Sequence, residues 1–495
     1  MVAYVPPKQA GKYKAVASGA ITNGKPVAVN STGTVSQVAD NSVSFGIGSN
    51  STFESGNLNF GSYSTGMTFD SSNNKIVIVY ADNGNSNYGT AVVGTVSGTS
   101  ISFGTPVVYN SGQSNYNDCC FDSNANKVIV GYEDEGGASH GKARVGTVSG
   151  TSISFGTEAT FNNNTTEYIS MAFDTSTNIV IIAHRNHGNS GTGDLRLGLV
   201  SGTDISFGTN HIFETGSTAH VSVSFNSASN NSIVAFRDIG DGTNRGKFRW
   251  FTTNTNDDGS GHSADVSFGS TLNFQTGGIE VDYIDTTVDT ANNKGIIVYE
   301  AHDNNQYGTA VVVTNNSTAG TAVVFESVIA RDKSAVYNSD TGKVVIAYKD
   351  DTNSKLKVIE GTVSGTSISF GSATAVNNRQ GKFVSGAFDS NEKKNVIGYS
   401  EFGNDTNGQA NVVTSSKSDQ NLTSENYIGI ASGGTYADTA EATIDVVGTV
   451  NKDQSGLTAG QIYYVQTDGT LGTTADDPSV VAGTAISATE LIVKG

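Results

Sequence analysis

This sequence predicts an all-β protein: a seven-bladed β-propeller inserted into a small β-barrel or sandwich formed by the N- and C-terminal segments. Three observations predict it. One motif recurs seven times, as Phe69-Asp70, Phe121-Asp122, Phe173-Asp174, Phe225-Asn226, Val288-Asp289, Tyr337-Asn338 and Phe388-Asp389. The first four copies are 52 residues apart, and the later gaps are 63, 49 and 51. A period of this size, with strand-type alternation and no helical periodicity, suits four strands per copy. Finally, the seventh copy lacks its last strand, and a matching stretch stands near the N-terminus.

Residues 1–40 come first. The stretch YKAVASGAITNGKPVAVNSTGTVSQV reads as short strands separated by Asn-Gly and Thr-Gly turns. Next comes SVSFG at 42–46, predicted to be the strand that completes blade seven.

One repeat, residues 116–161, represents the blades. A short strand ends at Phe121, and Asp122 opens a turn, DSNAN, rich in residues that tolerate left-handed geometry. KVIVGY (127–132) is a β-branched strand, 133–141 a polar loop and 142–148 a third strand. Ser149-Gly150 is the predicted hairpin turn, with glycine where positive φ is needed. TSISFG (151–156) alternates Ile and Phe with Ser as the fourth strand. The hairpin recurs as VSGTSISFG at 96–104 and 363–371 and as VSGTDISFG at 200–208. The fourth copy carries extra residues in TTNTNDDGSGHSAD, 252–265.

Copy seven has FVSGAF, NVIGYS and GQANVVTS but no SISFG strand. Supplying it from 42–46 ties the first blade to the last and protects the sheet edges. Both chain crossings then fall at the turn between third and fourth strands. Because strands alternate in direction, the loops after second and fourth strands share the opposite face. Residues 421–495 contribute NYIGIAS, ATIDVVGTV, QSGLTAGQIYYVQTDGTLGTT and SVVAGTAISATELIVKG, which read with 1–40 as one split β-domain around a propeller of 41–420.

Net charge is −18, which argues against nucleic acid as a partner because phosphate contacts need a basic face. No apolar run reaches the ~20 residues of a membrane span. The N-terminus MVAYVPPKQAGKYK lacks a signal-peptide apolar core, so the expected place of synthesis is a cytoplasm without export. Cys119 and Cys120 are adjacent; strand neighbours point to opposite faces, so they read as buried small residues and not a disulfide.

The terminal segments, from GAITNGKPVAV through NYIGIAS and SGLTAGQIYYVQTDGTL to VVAGTAISATELIVKG, resemble small β-domains of tailed-phage virion surface proteins of the marine, cyanophage-like kind. They are similar to tail-fibre modules and, more loosely, to head-decoration barrels. The resemblance implies a virion protein assembled in the host cytoplasm. Its split β-domain would dock on other virion structural proteins or form an oligomer such as a trimer. Its propeller would be displayed for attachment to a host-surface glycan or protein. A capsid-decoration role and a virion-borne glycan-degrading enzyme are the alternatives.

Candidate binding residues lie in the loops after the second strands: Asp82, Glu133, Asp134, Arg185, Arg237, Asp238, Glu300, Asp350, Asp351 and Glu401, with His187, Asp241, His302, Asp303, Lys349 and Asp405 beside them. They read either as a polar ring around the channel mouth or as solvated loop tips. Hydrolysis of a glycan needs two carboxylates held close together, and no pair stands out in the sequence. The S-x-D-x-G-x-T-W pattern is absent, and Trp250 is the only tryptophan. The expectation is therefore no enzymatic activity and no catalytic residue. The seven histidines show no zinc spacing, His184 and His187 read as a satisfied loop pair, and the loops at 82–87 and 257–261 do not match a calcium loop. No metal and no cofactor are expected. The repeated motif Asp is expected to bond its own turn. Tyr88, Tyr116, Tyr168 and Tyr307 sit near strand ends, open to sugar stacking or to rim packing.

Overall fold

The computed structural model describes residues 11–40, 42–56, 58, 65–255, 264–275, 280–315, 319–376, 379–402, 406–417 and 420–494. The fold is all-β: forty strands and four short 3-10 turns, with no α-helix among the described residues. The chain divides into two compact units, residues 45–415 and residues 1–44 with 416–495.

Residues 45–415 form the seven-bladed propeller. In blade two, residues 114–122 pair with Lys127–Asp134, which pairs with His140–Ser149. Ser152–Phe155 covers the far half of that third strand, with Val148 facing Ile153. Residues 159–165 cover its near half, with His140 facing Thr165. The outer strand is therefore built in two pieces, where the sequence suggested only TSISFG. The second piece, ATFNNNTTE, carries too little apolar alternation to be read as a strand. It is also the start of a single sixteen-residue strand, Ala159–Asp174, that continues inward as the innermost strand of blade three. Val107–Asp122 and Val323–Asn338 bridge neighbouring blades in the same way.

The hairpin turn falls one residue later than the sequence placed it. Ser149 faces Ser152, so Gly150 and Thr151 make the turn, with Gly150 at φ +61°. Behind it, Gly146 lets the Ile153 side chain lie flat on the third strand; a Cβ there would stand 2.7 Å from Ile153 Cδ1.

Blade seven is completed from the N-terminal side, in a different register from that expected. Gly46–Ile47 pairs with the end of Gly408–Thr414, with Ile47 opposite Val413, and Ser51–Glu54 pairs with its beginning, with Thr52 opposite Gln409. The pairing thus runs over 46–54 in two pieces, as in the other blades, and not over 42–46. Phe53 lies on Gly408, where a Cβ would sit 2.4 Å from its ring. It joins a core shared by blades seven and one with Met67, Ile78, Val396 and Val412.

Each second strand points alternate side chains into the cores on its two sides. In blade two Val128 and Val130 face blade one, whereas Ile129 faces blade three. Cys119 and Cys120 divide in the same way, both buried and unbridged. Seven such inter-blade cores close the ring. At every motif copy the Asp or Asn side chain accepts backbone N–H groups of its own turn, as Asp122 does from Asn124 and Ala125 at 2.9 and 2.8 Å.

The second unit contains two five-stranded antiparallel sheets. In one, Lys12–Val16 pairs with Glu441–Asp445, and Pro26–Val29 lies between Tyr427–Ala431 and Val35–Gln37. The other is built from C-terminal strands alone, with Val480–Ala485 at its centre between Ile462–Val465 and Leu491–Val493. The chain's two ends are thus woven into one sheet, with Ala17, Ile21, Val27, Ala431 and Ile444 in its core.

Candidate functional site

The innermost strands line a central channel with a cavity of about 380 Å³. Six of them carry a bulge at the same place, where the register with the second strand slips, as between Asn115 and Asp118. The bulged residues are Tyr116, Tyr168, His220, Tyr283, Asp332 and Phe383, all at φ between 45° and 51°. Left-handed backbone at such residues costs about 1–3 kcal/mol each and clusters at functional sites. These six positions repeat with the spacing of the motif, which is the one sequence signal that could have found them.

Four of the six form a continuous aromatic arc. Ring centroids are 5.4 Å apart for Tyr116 and Tyr168, 5.0 Å for Tyr168 and His220, and 5.5 Å for His220 and Tyr283. Beyond the arc, Lys333 is buried in the channel wall, donates to the Ala330 carbonyl at 2.7 Å and lies 5.4 Å from the Tyr283 ring. Burial pulls its ammonium down to about 8 against the opposing pull of Glu300 and Asp332.

The loops after the second strands open on this same mouth. Backbone bonds join them to the outer-to-inner crossings, as from Ser114 N–H to the Asn87 carbonyl at 3.0 Å and from Thr218 N–H to Gly191 at 2.8 Å. Strand alternation splits the ten candidate residues into two sets. Glu133, Arg185, Arg237, Glu300 and Asp351 belong with the inner network. Arg185 pairs with Glu167 at 2.8 Å, and exposed His187 reaches the same carboxylate at 3.1 Å. Arg237 holds Asp282 and Glu280 of the next blade. Arg331 bridges Glu300 at 3.2 Å and Asp351 at 3.1 Å, and Lys349 completes the group at 2.7 Å from Asp351. Burial would raise the Asp282 carboxyl, but His220, Arg237 and His302 outweigh it and hold it near 2.

Asp82, Asp134, Asp238, Asp350 and Glu401 stand one residue further along and serve the loops. Asp82 caps its turn at Asn85 N–H, 3.2 Å away. Asp134 accepts from Asn110 at 3.2 Å. Asp238 is buried against Lys247, and Asp350 is buried 2.9 Å from Lys357. Glu401 pairs with Arg379 at 3.5 Å. Asp241 joins Lys247 at 3.1 Å, and Asp303 accepts from Gln275 at 2.8 Å. Loop-tip solvation therefore does not describe this set: Glu133, Asp238, Glu300 and Asp350 are all buried. Asp405 and the 257–261 loop lie outside the described residues. The loop at 82–87 forms a 3-10 turn. Among the described residues no cluster of His, Cys, Asp and Glu is arranged to hold a metal ion.

His184 departs from its expected role. It is not a loop partner of His187 but a core residue packed edge-to-face against Phe161 at 5.3 Å, and burial pushes its imidazole down to about 4. His220 is also spoken for. Its Nδ1 accepts the Tyr283 N–H at 3.3 Å, so Nε2 carries the proton it shares with Asp282 at 2.9 Å.

Deeper in the channel, a ring of short polar side chains knits adjacent inner strands. Asp118 accepts from Met171 N–H at 2.7 Å, Ser170 from Val223 at 3.0 Å, Ser222 from Thr286 at 3.0 Å and Asp285 from Ala335 at 2.8 Å. Burial raises Asp118 to about 7 and Asp285 to about 6.

No protein-family model and no curated protein matches this chain. Among solved structures it is similar to a lectin of Burkholderia pseudomallei, with TM-score 0.51 and 10% identity over 73% of this chain and 99% of that one. A periplasmic gluconolactonase of Pseudomonas aeruginosa matches with TM-score 0.46 and 10% identity over 74% and 97%. A leech intramolecular trans-sialidase matches with TM-score 0.43 and 10% identity over 74% and 70%. Identity this low shows the fold alone. Because the similar structures include enzymes, the expectation of a protein without enzymatic activity is withdrawn.

Proposed function

We propose that this mouth of the channel binds carbohydrate. The aromatic arc from Tyr116 to Tyr283 carries the reading. A pyranose presents an apolar face that stacks on tyrosine, and its hydroxyls suit the paired acids and bases beside the arc. In the network around Asp282 and Glu300, carboxylates are matched by Arg237, Arg331 and His302, which favours a hydroxyl-rich ligand over a polyanion. The terminal segments' resemblance to tailed-phage virion modules supports display of the propeller on a particle for host-surface attachment. There, weak single sites gain from multivalency, and the split domain would engage other virion proteins or further copies of this chain.

The test is binding of the purified chain to a printed array of bacterial capsular and O-antigen polysaccharides. Tyr168→Ala should weaken binding by up to about tenfold, since an aromatic contact contributes about 0.5–1.5 kcal/mol, while leaving the melting temperature near that of the parent. Unchanged binding by this variant, or no array signal from the parent, would sink the reading.

A further inference from the structure

The carboxylates at the mouth are not equivalent. Glu167, Glu280, Asp282, Glu300 and Asp351 each have an Arg, Lys or His nitrogen within ion-pairing distance. Glu133 has none among the described residues. It is 5% exposed and held by the Asn115 amide at 3.1 Å, which also reaches Glu135 at 2.6 Å. Burial, with the neighbouring charges of Glu135 and Glu167, pushes its carboxyl up to about 7.

Position matters as much as charge. Glu133 stands opposite Asn115, the residue before bulged Tyr116; Glu167 is itself the residue before bulged Tyr168. The two tyrosine rings meet at a tilt, with centroids 5.4 Å apart. A carboxylic acid without a cation and a carboxylate paired with Arg185 therefore flank one aromatic pair at the junction of blades two and three. Two carboxyls in unlike surroundings, one buried without a cation and one ion-paired, are the arrangement that acid–base hydrolysis of a glycoside uses.

We propose that Glu133 and Glu167 hydrolyse a glycosidic bond of the saccharide seated on Tyr116 and Tyr168. Glu133 gives its proton to the glycosidic oxygen as the bond from that oxygen to the anomeric carbon breaks. Water adds to the anomeric carbon, and its proton goes to Glu167. Return of that proton through solvent to Glu133 restores both groups, so one glycoside and one water become a hemiacetal, the new reducing end, and an alcohol. The Glu135 and Glu167 carboxylates repel a negative substituent at the scissile bond, so the sugar there is an uncharged pyranoside. This rests on the carbohydrate reading above and adds turnover to it.

The experiment incubates the intact chain with the polysaccharides that score on the array and measures new reducing ends. The parent should release them, with kcat falling as pH rises through about 7. Glu133→Gln should lower kcat by about 10²–10⁴-fold, and so should Glu167→Gln. Binding by the parent without release of ends overturns hydrolysis and leaves the binding reading standing. So does Glu133→Gln cleaving at the parent rate with the same pH profile. Loss of both binding and release in the parent overturns both.

Discussion

Asp118 illustrates how one side chain can serve the ring and penalise it. Its carboxylate accepts the Cys119 and Met171 N–H groups at 2.8 and 2.7 Å, tying blade two to blade three, yet burial raises it from about 3.8 to about 7. The native state then holds a proton that the unfolded chain has released. Stability is full below the unfolded value and falls as pH climbs from about 4 through about 7. Asp118→Asn keeps an acceptor without the charge. Its melting temperature should match the parent's near pH 4 and exceed it increasingly up to pH 8, by scanning calorimetry at several pH values; a constant offset would count against this account.

At this scale the sequence was informative about chemistry and poor about direction. The motif Asp residues were legible as turn caps because DSNAN-type composition has a local cause. Glu133 and Asp134 are neighbours, and a one-residue step on a strand flips the face, so composition could not say which of them meets the channel. Lys333 and Asp282 were missed because nothing local marks a buried charge whose partners come from other blades.

Among the elements, the long shared strands set the design. A strand such as Ala159–Asp174 is outermost in one blade and innermost in the next, as are Val107–Asp122 and Val323–Asn338, so these neighbouring blades share a continuous backbone strand. The seam between blades seven and one has no such strand. It relies on Gly46–Ile47 and Ser51–Glu54, and Phe53 fills its core. Phe53→Ala should cost about 3–5 kcal/mol, read as a lower urea midpoint with an unchanged slope. A loss under about 1 kcal/mol would show that the seam is held elsewhere. The apolar second strands were plain in the sequence, from KIVIVY to KVVIAY, because β-branched runs between turns have few other readings. The bulges were not, since Tyr, His, Asp and Phe have no common preference for left-handed backbone; only their spacing betrays them.

For the whole molecule, internal duplication made the ring legible. Seven periods of similar length require equivalent positions, and equivalent positions around an axis require closure. Closure also makes stability collective. A chain beginning at residue 55 would lose both outer pieces of blade seven and expose the edge of Gly408–Thr414. Its propeller should melt well below that of the full chain, in calorimetry or by loss of β-signal in circular dichroism; equal melting would contradict closure by the N-terminal strand.

The weaving of the two termini bears on durability. The propeller is continuous with the other unit through two covalent links, near residues 44 and 416, and the strands beyond those links pair with each other, Lys12 opposite Asp445 and Val27 opposite Gly429. A protease that cuts one link therefore leaves the ring covalently attached through the other, while the severed terminal segment stays paired in that sheet. The connection is fail-safe: a single nick leaves the ring attached, and release requires cutting both links.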